Sequence, residues 1–164
     1  MNDPLAMFRE ESSAGDAAVT KLTHRRSLLL FEHDGALLGV PAEAVDGVIA
    51  WRNPVRLPRA SAGFAGVVQD RGRIVAVLES PLGGVKAEPR AARRLVVCAT
   101  ARGFLGLPAD TTRGVTVVEF AIEPPPGEIV DSSEGPLTLV LPALLARASE
   151  GGDQKERHAA NVTR

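Results

Sequence analysis

Two stretches of the chain repeat each other. Leu37-Leu-Gly-Val-Pro-Ala-Glu-Ala-Val-Asp-Gly-Val48 aligns with Phe104-Leu-Gly-Leu-Pro-Ala-Asp-Thr-Thr-Arg-Gly-Val115, with six of twelve positions identical and Glu43 matched by the acidic Asp110. The offset is a constant 67 residues, from Gly39 to Gly106 and from Gly47 to Gly114. So long a period predicts two related folding units rather than a solenoid of short ones. Duplicated small β units are usually built to bind, and neither copy carries a set of catalytic groups.

A chain of 164 residues makes one ordinary domain, or two small subdomains sharing a core, and a hydrophobic content of 45% can fill that core. A formal net charge of −1 lacks the basic surplus that phosphate binding requires, so no nucleic-acid partner is expected. The single Cys98 cannot form an internal disulfide, which fits a reducing cytoplasm, and its setting in Leu95-Val-Val-Cys98 predicts a buried, inert thiol. No apolar stretch reaches the ~18–20 residues of a membrane span. The first residues, Met1-Asn-Asp-Pro-Leu-Ala-Met-Phe8, are acidic and interrupted by Pro4, unlike a secretory signal. The expectation is a cytoplasmic protein with no direct membrane insertion, reaching a membrane only through a partner.

Residues 1–26 and 149–164 read as flexible tails. Within the first, Leu5, Met7 and Phe8 also admit one turn of a docking helix. Between the tails, Leu28-Leu-Leu-Phe31, Ile74-Val-Ala-Val-Leu78, Leu95-Val-Val97, Val115-Thr-Val-Val118 and Leu137-Thr-Leu-Val-Leu141 each suit a short strand. Several lack alternation, which predicts strands covered on both faces. Asp34-Gly35 and Arg102-Gly103 are placed to close hairpins ahead of the two repeats, and Gln69-Asp-Arg-Gly72 is a third hairpin signal with Gly72 free to take a positive φ. Only 142–149 reads as helix, with Pro142 in its first turn. Pro81-Leu-Gly-Gly-Val-Lys-Ala-Glu-Pro-Arg-Ala-Ala-Arg-Arg94 reads as a solvated linker between the halves, its basic groups also admitting an anion patch. Pro124-Pro-Pro126 reads as a stiff connector.

Signals for chemistry are thin. The chain has no Gly-x-Ser-x-Gly elbow, no phosphate-binding loop and no close pair of cysteines. His24, His33 and His158 are scattered, so no metal and no cofactor are expected. His33-Asp34 admits a general base with its orienter, but a surface hairpin turn explains the pair. Trp51 suits either the core or an interface.

The order of elements from about Ser27 to Ala148 resembles the CheW-like adaptor domain of bacterial chemotaxis. Leu38-Gly39-Val40-Pro41 stands where that family has a Tyr-Gly-Ile-Pro type of motif, and Val45-Asp-Gly-Val48 matches its Val-x-x-Val ending. Pro54 and Pro58 match a proline pair around a variable loop. Gly66-Val-Val-Gln-Asp-Arg-Gly72 matches a Gly-Val-Ile-Asn-Leu-Arg-Gly hairpin. Leu105-Gly106-Leu107-Pro108-Ala109-Asp110 matches a second Val-Gly-Leu-x-Val-Asp motif, and Leu137-Thr-Leu-Val-Leu-Pro-Ala-Leu-Leu145 the closing strand and leucine-rich helix.

The resemblance implies an all-β fold of two intertwined five-stranded SH3-like barrels with a short C-terminal helix. The domain would cover residues 27–148, in interwoven halves of about 27–85 and 90–148. It also implies a non-catalytic scaffold joining the cytoplasmic tips of chemoreceptors to the regulatory domain of a CheA-type histidine kinase, in a two-component pathway. Val45, Gly66 and Arg71 match positions of partner contact, and Asp70 and Gly72, which flank Arg71 on the hairpin, are expected to bind partners with them. A CheW-like scaffold in a motility or polarity pathway without a receptor, and a small β-barrel enzyme or ligand sensor, are the alternatives. Asp70, where the family places leucine, is expected either exposed or paired with Arg71 or Arg73, since an unpaired buried carboxylate is costly. Either arrangement would leave the hairpin more polar and its hold on an apolar receptor tip weaker, so that Asp70→Leu would strengthen that hold with little effect on stability; a tolerated surface substitution that touches no partner, with affinity unchanged, is the alternative.

Overall fold

The computed structural model describes residues 24–83 and 92–147. Residues 1–23 of the first expected tail, residues 148–164, which take in all of the second, and residues 84–91 of the expected linker, with Lys86 and Arg90, lie outside them. Ten strands follow in order: β1 (His24–His33), β2 (Ala36–Pro41), β3 (Val45–Ala50), β4 (Phe64–Asp70), β5 (Arg73–Leu78), β6 (Arg94–Thr100), β7 (Gly103–Ala109), β8 (Thr111–Phe120), β9 (Ile129–Ser132) and β10 (Gly135–Leu139). A helix over 142–147 follows, starting at the proline that fits a first helical turn.

The repeat appears in the strand register. In the β1–β2 hairpin Leu28 faces Pro41 and Leu30 faces Gly39; in the β6–β7 hairpin Leu95 faces Pro108 and Val97 faces Gly106, each residue displaced by 67. The two glycines fill the same niche. A Cβ on Gly39 would lie 2.9 Å from Leu28, and one on Gly106 would lie 3.0 Å from Leu95. Both strands must therefore present hydrogen there, so that Leu28 and Leu95, diagonal to the glycines on the paired strand, can lie across them.

The turns differ. Asp34 and Gly35 both take positive φ, 50° and 77°, the geometry that twists with a two-residue hairpin. In the second copy the loop is Ala101-Arg102, one residue earlier than expected, and Gly103 is already in β7 opposite Thr100. The Thr100 hydroxyl accepts the Arg102 N–H at 3.3 Å and donates to the Gly103 carbonyl at 2.9 Å, replacing with side-chain bonds what Asp-Gly supplies by conformation.

After each hairpin the chain crosses over. β3 leaves the first hairpin and pairs with β6, while β8 leaves the second and pairs with β1. One sheet closes as a barrel in the order β1-β2-β10-β9-β8, and the other runs β3-β6-β7-β5-β4. The outer strands of the second sheet, β3 and β4, are not paired with each other. Val55, from the connection between them, forms a bridge to Val67, with N–H to carbonyl distances of 2.8 and 2.9 Å.

Three apolar clusters follow from this layout. Leu28, Leu30, Val118, Phe120, Leu137 and Leu139 fill the first barrel. Val68, Val75, Val77, Leu95 and Val97 line the second sheet's concave side. Leu29, Phe31, Leu38 and Val40 meet Val96, Cys98, Leu105 and Leu107 between the two. Unbroken runs such as Leu28-Leu-Leu-Phe31 are explained: alternate residues serve an interior and the central seam. Trp51 packs partly buried against the second sheet's cluster, on the core side of the two readings open to it.

Two strands lack a clear sequence signal. β3 contains Asp46 and Gly47, and β9 is the polar Ile129-Val-Asp-Ser132. Both exist because a neighbouring strand supplies the ladder, not because of local propensity.

Candidate functional site

The β4–β5 hairpin carries four of the five residues singled out in the sequence. Its turn places Arg71 at φ 48° and Gly72 at φ 77°, and both are exposed at the tip. A positive φ on arginine is unfavourable, and Gly72 alone has no such cost. The strain is held by the paired strands on either side, Asp70 facing Arg73 and Gln69 facing Ile74.

Asp70 is not a surface residue. Only 6% of it is exposed, and its carboxylate accepts a hydrogen bond from Arg73 Nη2 at 3.4 Å. Of the arrangements left open by the sequence, pairing with Arg73 is the one found. The same guanidinium makes a shorter, two-pronged contact to Asp46 on β3, at 3.0 and 2.7 Å, and lies 4.2 Å over the ring of Phe104 on β7. These four side chains from β3, β4, β5 and β7 close the mouth of the second sheet where its strands leave a gap. Hydrogen bonds from Arg73 hold the Asp46 carboxyl below the usual carboxylate range. A planar fork suits this task, since it reaches two carboxylates and stacks at once.

Gly66 is buried at φ 141°, under the backbone of Val55. Its open face is taken up by this chain's own Val55 connection. Arg52 reinforces the same edge by donating to the Gln69 carbonyl at 2.8 Å. Val45 opens β3 opposite Cys98 and is half-buried against the central cluster. It therefore lies near the hairpin only through Asp46, its neighbour in sequence.

The surface beside the tip was not predicted. Val55, Val67, Ala76 and Leu105 face one another in register across four adjacent segments, and directly opposed residues point to the same side of a sheet. Ile74 lies two residues before Ala76 and so shares that face. Val55 is 67% exposed and Ile74 61%. The row is open at two places, Val55 at the sheet edge and Ile74 near Arg71, while Val67 and Ala76 are partly covered and Leu105 is buried in the central cluster. A shallow depression of about 160 Å³ between Phe64, Ala76, Leu105 and Ala146 continues it.

Among the described residues one group of three metal-ligating side chains comes together: His33, Asp34 and Asp110. His33 is 5% exposed, unlike the surface turn expected, and its ring nitrogens lie 3.5 Å from Asp34 and 4.0 Å from Asp110. Asp110 Oδ2 also accepts the Asp34 N–H at 2.9 Å, and the Asp110 N–H donates to the Glu32 carbonyl at 2.7 Å. These contacts fasten the first hairpin's turn to the β7–β8 junction, a structural use of all three groups. Burial pushes the Cys98 thiol up to about 12, as its sequence setting predicted. No helix among the described residues is long and apolar enough to cross a membrane.

The family described as the CheW-like domain matches residues 27–138. Among solved structures the chain is similar to the scaffolding protein TtCheW from Thermoanaerobacter tengcongensis, with a TM-score of 0.57 and 18% identity, over 71% of this chain and 89% of that one. The comparison with curated proteins found no match.

Proposed function

The chain belongs to the CheW-like domain family, and from that premise we propose that it is a non-catalytic adaptor. It couples the cytoplasmic tips of chemoreceptors to the regulatory domain of a CheA-type histidine kinase, and it is cytoplasmic, recruited to receptor clusters by those partners. The observation that carries this reading is the pair of exposed apolar side chains Val55 and Ile74, joined in one row by the half-buried Val67 and Ala76, beside the cationic tip of the β4–β5 hairpin. A row of this kind on a braced sheet offers apolar area without ordering cost, and such surfaces are rarely left open on a protein that works alone. Arg71 adds direction: its fork reaches a partner carboxylate in two parallel bonds, so orientation is selected along with affinity. The Arg73 contacts to Asp46 and Asp70 keep the turn in one shape before binding.

The test is a titration of the cognate kinase regulatory domain and receptor tip against wild type, Arg71→Ala and Ile74→Ser. Micromolar affinity, roughly 8 kcal/mol, is expected for wild type, and about a tenfold loss for each variant with unchanged unfolding midpoints. Binding to neither partner by the folded wild type overturns the reading. Binding to the kinase alone assigns the protein to a pathway without a receptor.

A further inference from the structure

A second apolar surface lies away from the hairpin. Leu82, Pro126, Leu139, Leu141, Leu144 and Leu145 line a groove of about 220 Å³ between the C-terminal helix and the end of β10. Leu82 and Leu144 are 45% and 44% exposed within it. A groove of this size takes one large apolar side chain and part of a second, and leaving it open to water is unfavourable.

Two of the three stretches of chain outside the described residues leave the fold at this groove, and the third joins β1 beside the loop that leads to it. Gly83 follows Leu82 directly, and a Cβ there would lie 3.2 Å from Leu145. Arg147 ends the helix that carries Leu144. His24, where the first stretch joins β1, lies 3.2 Å from Glu123, just before the prolines that reach the groove. Their composition separates them. Residues 84–91 hold one large apolar side chain, Val85, and residues 148–164 hold one, Val162. Residues 1–23 hold Leu5, Met7 and Phe8 within four positions. The chain between Phe8 and His24 can extend roughly 50 Å.

We propose that the groove is the docking site of this chain's own Leu5-Ala-Met-Phe8 segment. The tether makes docking intramolecular, so even weak contacts suffice at the effective concentration of a short linker. The segment then acts as a built-in competitor for the groove, and any partner seeking that surface must displace it. The inference does not depend on the adaptor reading, which rests on a different face.

Two measurements on the full chain test it. Methyl NMR spectra are compared between wild type and Leu5→Ser/Met7→Ser/Phe8→Ser. Shifts confined to Leu82, Leu144 and Leu145, with Val115 and Val117 unmoved, are the expected result. In parallel, Ala6→Cys/Ala143→Cys is oxidised beside Ala6→Cys/Val117→Cys, both keeping the apolar segment intact. The first pair should close within one chain at roughly tenfold the rate of the second. Unmoved groove methyls, or equal rates in the two pairs, overturn the proposal. Bridges that join two chains overturn it too, and assign the groove to a second copy.

Discussion

A Cβ placed on Gly66 would lie 2.4 Å from the carbonyl oxygen of Val55, closer than two such atoms ever sit. The Val55 bridge to Val67 fills the open side of the second sheet, so the glycine fixes where the edge strand is capped. Gly66→Ala therefore has to move backbone, and φ 141° adds strain of its own. A loss of about 2 kcal/mol in urea unfolding is expected. Partner affinity should fall with it, because Val55 is an exposed member of the apolar row. Wild-type stability in Gly66→Ala would mean the connection is free to shift.

Acid sensitivity should trace to Asp46. Arg73 holds that carboxyl below the ordinary range, so the folded state takes up its proton less readily than the unfolded chain. The contribution is complete above the unfolded value of about 4 and is lost as pH falls through the lower folded value. Asp46→Asn should flatten the loss of stability below that point, read from urea midpoints at successive pH values. Superimposable acid limbs would show that the carboxylate contributes nothing there.

Asp70→Leu separates a surface reading of the hairpin from the structure. A carboxylate on the surface would weaken an apolar receptor tip, and leucine would strengthen it. The observed side chain is folded into the mouth against Arg73, which keeps Asp46 as a stronger partner. Receptor affinity should stay within about twofold, and stability should drop by about 1 kcal/mol from the lost hydrogen bond. Tighter receptor binding would place the residue at the interface after all.

Cys98 should be silent to thiol reagents in the native protein. It is fully buried and its ionisation is pushed up to about 12, so thiolate is scarce at neutral pH. Labelling by a disulfide reagent should appear only as denaturant unfolds the chain. Rapid labelling without denaturant would reveal a local opening of β6.

How much of this was legible depended on which part of the molecule fixed each feature. The repeat, Asp34-Gly35, Gly72 and the doubly buried runs at Leu28 and Leu95 report local backbone and burial demands, and these were readable. β9 was not, since Ile129-Val-Asp-Ser132 is a strand only because β10 lies beside it. The strip from Val55 to Leu105 was invisible for the same reason, its members being scattered along the sequence until the sheet sets them in one row. Gly66 was noticed for its family position, while the reason for it, Val55, sits in a loop with no strand pattern of its own. Asp70 showed that the identity of a buried residue can be foreseen only with its partner, and Arg73 was one of two neighbours that could have served.

The crossing of β3 and β8 bears on how the protein is made. The second sheet is built from one uninterrupted run, Val45–Ala109, whereas the barrel needs the strands before that run and the strands after it. On the ribosome the inner sheet has all its strands once β7 has emerged, but β1 and β2 must wait for β8 through β10. Until then their apolar faces, Leu28 and Leu30 among them, have no wall to close against. The β1–β2 hairpin is thus made before the second sheet yet enclosed after it, and the exposed interval falls where chaperones meet a nascent chain.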